Sequence, residues 1–387
     1  MPQTMDSIEM LRRLVAFDTT SAYSNMTLID FVRDYLHGFG IESRLIANED
    51  GTKANLYATI GPEKEGGVVL SGHTDVVPVK DQPWDSDPFA MIEKNGLLYG
   101  RGTADMKAFS AIALAMVPHF LARGIKVPIH LALSYDEEVG CIGAWSLAEA
   151  MQRDMPKPHA IVVGEPTMMK VVHSHKTASS YFTDLIGLEA HSSAIDQGVS
   201  AVHYAGDLIH FLNQFQEELR ARAPKNSEFK PPFGTMNVGI VQGGTATNIL
   251  ARHCLVQWGY RAMPNEDPHE AIKRVTHFCD HELLPRMRKV YPEASITTRL
   301  RAEVPPLVPT DHNPADILCR ALTGDNGSHS VSYAAEAGIF QKAGFSVVIC
   351  GPGDIAQAHQ PNEFIAVEQI RACEDFMRKL ADWAASR

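Results

Sequence analysis

The sequence predicts an α/β protein, a mixed-sheet domain split in the chain by a smaller inserted βαββαβ domain. Three observations predict it. Strand and helix signals alternate through residues 1–179, which makes a parallel or mixed sheet covered on both faces. From about Ser180 the order becomes β-α-β-β-α-β, the ferredoxin-like arrangement. After Pro305, Pro306 and Pro309 the first pattern resumes. A chain of 387 residues is long enough for two domains, so we expect 1–179 with 304–387 as one domain and 180–303 as the insert.

In order, Asp6 or Ser7 can cap a first helix whose stripe is Ile8, Leu11, Leu14 and Val15. Thr27–Phe39 predicts a second helix, closed by Gly38 and Gly40. Asn55–Ile60 and Val68–Leu70 read as strands, and Pro83–Gly100 as a loop followed by a hairpin. One helix is expected over Met106–Leu121, ended by Gly124. Strand Ile129–Ser134, helix Ala144–Met151 and strand Ala160–Val163 follow. In the insert, strands are expected at Tyr181–Glu189, Thr235–Val241, Cys254–Arg261 and Ala294–Glu303, with helices at Ala201–Leu219 and His269–Arg288. The last segment predicts helices at Ala315–Leu322 and Ala335–Ala343, strand Ser346–Cys350 and a helix from Val367.

Composition narrows the function. The net charge is −11, with no cluster of Lys or Arg, which argues against nucleic acid and anionic membranes as partners. Six cysteines are scattered without a CxxC pair, the pattern of reduced thiols. The N-terminal MPQTMDSIEMLRR has no apolar core of signal-peptide length, and no stretch approaches a membrane span. A cytoplasmic protein is expected.

Polar clusters fall where strands end or helices begin. VVLSGHTDVV places His73 and Asp75 two residues apart at a strand end, so that the carboxylate can hold one ring nitrogen while the other binds a metal. GRGTADMK puts Asp105 at a helix start, as cap or as ligand. SYDEEVG crowds Asp136, Glu137 and Glu138 after an apolar strand, a costly arrangement unless a cation or proton relieves it. GEPT adds Glu165, and a late AHQP adds His359. All lie at the carboxyl edge of one predicted sheet, where α/β proteins collect ligands. Imidazole with carboxylate suits Zn²⁺, Mn²⁺ or Co²⁺ and excludes a structural cysteine-type zinc site. Two such ions about 3.5–4 Å apart can share a carboxylate and a water. Which of the adjacent glutamates is ligand and which is base stays open at this level.

SGHTDVVP, GRGTADMK, SYDEEVG, GEPT and AHQP, in that order, resemble the M20 family of co-catalytic metallo-amidohydrolases. The resemblance implies a metallopeptidase-like catalytic domain with a lid or dimerisation insert, and a homodimer formed through that insert. It implies two divalent ions, zinc foremost with Co²⁺ or Mn²⁺ as alternatives. Their ligands would be His73, Asp105 as the bridge, Glu138, Glu165 and His359, with Asp75 clamping the His73 ring and Glu137 as general base. His191, in AHSS, resembles the lid histidine that reaches a neighbouring subunit's site and donates to the developing oxyanion. Asn248, in GGTATN, resembles a substrate-holding asparagine. Arg261 can fork onto a substrate carboxylate. The EAGIFQ run at Glu336, ahead of GPGDIAQAHQPNE, is similar to the acetylornithine deacetylase branch, and Glu336 would read a substrate's cationic amine. The implied reaction is hydrolysis of an N-acyl amino acid, N²-acetyl-L-ornithine first; a desuccinylase, deformylase or dipeptide hydrolase is the alternative.

Overall fold

A computed structural model describes residues 4–387. The chain forms α1 (Ser7–Val15), α2 (Met26–Gly38), β1 (Ser43–Ala47), β2 (Ala54–Ile60), β3 (Val68–His73), β4 (Ile92–Lys94), β5 (Leu97–Tyr99), α3 (Lys107–Ala115) and α4 (Val117–Arg123). There follow β6 (Ile129–Ser134), α5 (Ile142–Asp154), β7 (Ala160–Pro166) and β8 (Val172–His175). The next segment holds β9 (Ala178–Ile186), α6 (Ala201–Ala221), β10 (Thr235–Gly243), β11 (His253–Arg261), α7 (Glu270–Phe278), α8 (Leu284–Arg288) and β12 (Ser295–Val304). The chain ends with α9 (Pro314–Thr323), β13 (His329–Val331), α10 (Ala337–Lys342), β14 (Val347–Gly351), β15 (Phe364–Ala366) and α11 (Val367–Ala385). The described residues divide into two compact units, 4–174 with 309–329 and 335–387, and 175–308 with 330–334.

The first unit is built on a mixed sheet of order β1-β2-β6-β3-β7-β14-β8, with the short β13, which begins in this unit, at its edge. β3 runs parallel to β6 and β7, and β7 to β14, whereas β1, β2 and β8 pair antiparallel. Every residue of β3, β6, β7 and β14 is buried, as expected of strands covered on both faces. Parallel register brings the carboxyl ends of these four strands side by side: His73 pairs with Ser134, and Gly351 with Pro166. That edge carries the site.

α3 is buried from Lys107 to Leu114 and packs close under it. A Cβ on Gly72 would come within 2.6 Å of Ser110 Oγ, and one on Gly164 would fall inside the Phe109 ring. Only glycine admits the helix at those two strand positions. The single helix expected over Met106–Leu121 is broken at Met116, because Pro118 opens α4 and has no N–H to continue the ladder. Gly124 caps α4 in the left-handed conformation, φ 66°.

The second unit is an antiparallel sheet of order β10-β11-β9-β12, the βαββαβ fold expected. β9 alternates buried and half-buried residues, and α6 and α7 share its core through Leu208, Leu212, Phe215 and Val275. The helix expected over His269–Arg288 passes through a wide turn at Cys279–Leu283 before α8, where Pro285 interrupts it. Thr177 ties the start of this unit to β11's end: its hydroxyl accepts from Ala262 N at 2.8 Å, and its own N–H donates to Ala262 O at 3.1 Å.

Candidate active site

His73 ends β3, 1% exposed. Its Nε2 lies 3.1 Å from Asp105 Oδ1 and 3.8 Å from Glu165 Oε1 at the end of β7. Asp105 precedes α3 and does not cap it. Its other oxygen, Oδ2, is 3.3 Å from His359 Nε2, which in turn is 2.9 Å from Glu138 Oε2. Asp105 thus stands between two groups, His73 with Glu165 and His359 with Glu138. The ligand atoms of His73, Asp105 and Glu138 lie within 4.8 Å of one another, as do those of His73, Glu137 and Glu165.

Asp75 does not hold the His73 ring in the way its spacing suggested. The ring's Nδ1 is 2.9 Å from the backbone carbonyl of Asp75 and 3.6 Å from its carboxylate. The carboxylate is turned to the acidic loop: Oδ1 accepts from Glu137 N at 3.0 Å, and Oδ2 from Glu138 N at 3.2 Å and Ser21 Oγ at 2.7 Å. It is the anchor for the turn that carries both glutamates. Asp136 and Cys141, flanking that turn, are left-handed, φ 56° and 54°. The Asp136 carboxylate is gripped by Lys53, whose ammonium also donates to Ser21 O at 2.5 Å. Cys141, 1% exposed, donates its thiol proton to Glu137 Oε1 at 3.2 Å.

Crowding sets the electrostatics. Burial pushes Glu137 up to about 8 and Glu138 up to about 7, with the neighbouring carboxylates adding to it. Burial and Asp105 lift Glu165 well above the carboxylate range. His359 is pushed up to about 10 by its hydrogen bonds to Asp105 and Glu138. Burial opposes charge on His73, yet the hydrogen bond to Asp105 and the nearby carboxylates of Asp75 and Glu165 hold it well above 6.5. Buried acids of this density retain protons near neutrality unless a cation replaces them. Two imidazoles with four carboxylates and no thiolate suit borderline or hard divalent ions, so the donor set fits a metal pair held by His73, Asp105, Glu165, Glu138 and His359.

Glu336, expected to meet a substrate amine, is 1% exposed at the start of α10. One of its oxygens accepts from Ser134 Oγ and the other from Ser71 Oγ at 3.4 Å. It joins β6 to β3 beneath the site, with no face open to a ligand. In the second unit, Ser192 N donates to Asn248 O at 3.0 Å and His191 bridges to Ile249, so His191 and Asn248 occupy adjoining exposed segments. Arg261 ends β11, exposed. Lys53, Ser21, Cys141, Gln82, Arg101 and Glu363 went unread at the sequence level. Arg101, Cys141 and Glu363 stand inside or beside recognised motifs, which was the available signal; the other three carry none.

Residues 69–383 match the model of peptidase family M20/M25/M40. The chain belongs to that family. It is 31% identical over 380 residues to acetylornithine deacetylase of Pasteurella multocida (strain Pm70), covering 96% of each chain. It is 33% identical over 392 residues to acetylornithine deacetylase of Myxococcus xanthus, covering 97% of each. Among solved structures, it is similar to an M20 family metallo-carboxypeptidase from Sulfolobus solfataricus, with TM-score 0.76 and 16% identity over 99% of this chain and 100% of the other. As an M20 protein it is a metal-dependent amidohydrolase. Among the described residues, no helix is long and apolar enough to cross a membrane.

Proposed function

We propose that this M20 protein hydrolyses N²-acetyl-L-ornithine to L-ornithine and acetate, a step toward arginine. The observation that carries the chemistry is the two-sided Asp105, with His73, itself paired with Glu165, at one oxygen and His359, paired with Glu138, at the other, and with Glu137 nearby. The identity to acetylornithine deacetylases along nearly the whole chain supports the substrate. When bound, a pair of divalent ions, zinc in this reading, polarises the amide carbonyl and acidifies water.

Glu137, beside the donor set but outside it, takes the proton of the attacking water and returns it to the leaving nitrogen. Asp75 holds Glu137 through its backbone N–H. His191 Nδ1 accepts from Ser193 N at 3.2 Å, which leaves the proton of a neutral ring on Nε2. That N–H donates to the oxyanion as the carbonyl carbon becomes tetrahedral, reaching the site of a neighbouring subunit in a homodimer formed through the insert. Asn248 and Arg261 hold the amino acid. Six free buried cysteines fit a reducing cytoplasm.

The test is hydrolysis of acetyl-, succinyl- and formyl-amino acids by metal-free and Zn²⁺- or Co²⁺-reconstituted protein. Activity restored by metal with preference for the acetyl-ornithine amide is expected. Full activity without metal overturns the chemistry, and preference for a succinyl group overturns the substrate.

A further inference from the structure

The ligands of the two metal groups are held in different ways. His73 and Glu165 sit on buried strands, where the sheet fixes them. Asp105 lies in an irregular turn without a capping bond, and His359 in a loop with φ 64° and its side chain 53% exposed. Something other than regular structure must place these two.

A continuous chain of side chains joins them. Glu363 Oε1 accepts from the backbone N–H of Ala104 at 2.8 Å and of Asp105 at 3.1 Å. Its Oε2 accepts from Arg101 Nη1 at 2.6 Å, and Arg101 Nη2 donates to Gln82 Oε1 at 2.5 Å. Gln82 Nε2 then donates to the backbone carbonyl of His359 at 3.0 Å. The network is pinned on its flank by Trp84, whose indole N–H donates to Gln82 Oε1 at 3.1 Å and whose ring lies 5.1 Å under the Arg101 guanidinium. Arg101 also donates to Gln360 O at 3.3 Å.

Arg101 and Glu363 are each 1% exposed. A buried ion pair is a poor device for stability, since desolvation offsets most of its attraction. This pair instead ends at one side on the backbone of Asp105 and at the other, through Gln82, on the backbone of His359. We propose that Gln82, Arg101 and Glu363 form a positioning network for the metal pair, and that Gln82 sets the affinity of the ion shared by Asp105, Glu138 and His359 without governing the ion at His73 and Glu165. The inference rests on the two-metal reading above.

The experiment titrates Zn²⁺ into metal-free wild-type protein, Gln82→Ala and Gln82→Glu by calorimetry. Gln82 is half-buried on a loop, and Gln82→Glu keeps the acceptor for Arg101 and Trp84 while removing the donor to His359. Two binding steps are expected in the wild type. In both variants one step should weaken by about 10- to 100-fold, the range for losing an outer partner of a metal ligand, and the other by less than about twofold. Lys80→Ala, exposed on the same loop, should leave both steps at wild-type affinity. Unchanged steps in both Gln82 variants overturn the inference and leave the two-metal reading standing. So does equal weakening of both steps, or the same loss in Lys80→Ala. A wild type that binds fewer than two equivalents overturns the two-metal reading and the inference with it.

Discussion

Replacing Asp75 by Asn separates two roles for this carboxylate. The substitution keeps size but turns one oxygen into an N–H₂ group. Wherever that group settles, it faces a backbone donor: Glu137 N if it replaces Oδ1, Glu138 N if it replaces Oδ2. Ser21 can rotate its hydroxyl to accept; the amide cannot. One buried N–H therefore loses a bond to an ionised acceptor, worth about 1.5–3 kcal/mol. If that energy holds Glu137 in its working position, kcat falls by about tenfold to about a hundredfold. The His73 ring is bonded to the backbone carbonyl of Asp75, which the substitution leaves in place. Metal content should therefore stay at the wild-type level. Steady-state kinetics on the preferred N-acyl amino acid, with metal analysis of the same samples, decides the matter. Were the carboxylate a ring clamp, metal affinity itself would fall by about 10- to 100-fold, and that result with kcat restored at saturating Zn²⁺ would refute the reasoning.

Glu137→Gln should retain metal yet lose several orders of magnitude in turnover, read as kcat against metal content; near-normal rates reassign the base. His130 is buried on β6 with its Nδ1 3.0 Å from Thr59 Oγ1, and burial pushes it down from 6.5 to about 4. The unfolded chain therefore binds this proton more readily, so His130's contribution is fully present above pH 6.5 and is lost as pH falls toward 4, to the extent of about 3 kcal/mol. Urea midpoints of the wild type should fall more steeply across that window than those of His130→Leu; equal slopes contradict it. Gly164→Ala drives a methyl group into the Phe109 ring and should cost about 1–3 kcal/mol, seen as a lower urea midpoint. An unchanged midpoint would mean that α3 is free to move.

The sheet was legible because its central strands are unbroken apolar runs, as in IVVGEP and VVIC, bounded by glycine or acid. The insert was legible from the change in element order alone. Short strands were not: β8, β13 and β15 have three or four residues each, too few for periodicity, and β1 is a largely exposed edge strand. Helix breaks at Pro118 and Pro285 were overlooked because the apolar stripe continues past them. At the site, His73, Asp105 and Glu165 were readable because each follows an abrupt change from apolar to polar residues. What remained hidden was direction. Spacing alone brings Asp75 beside His73, but the backbone turns its carboxylate onto the amides of Glu137 and Glu138. Glu336 looked like an accessible helix acid, yet α10 buries it against Ser71 and Ser134. Gln82 belongs to no pattern, since the backbone carbonyl it holds, that of His359, lies 277 residues on.

The parallel pairing of β14 with β7 has a consequence for how the protein is made. His73, Asp105, Glu137, Glu138 and Glu165 are all synthesised before the second unit begins, whereas β14, His359 and Glu363 come after it. The emerging N-terminal segment therefore carries its acids without the histidine and the glutamate that complete the cluster, and β7 waits for its neighbour while the insert is translated. Pairing across so long a separation is slow, and an unpaired strand edge is exposed meanwhile. A ribosome-stalled chain ending within the insert should be captured by chaperones and bind no metal pair, and both properties should reverse once β14, His359 and Glu363 have left the exit tunnel.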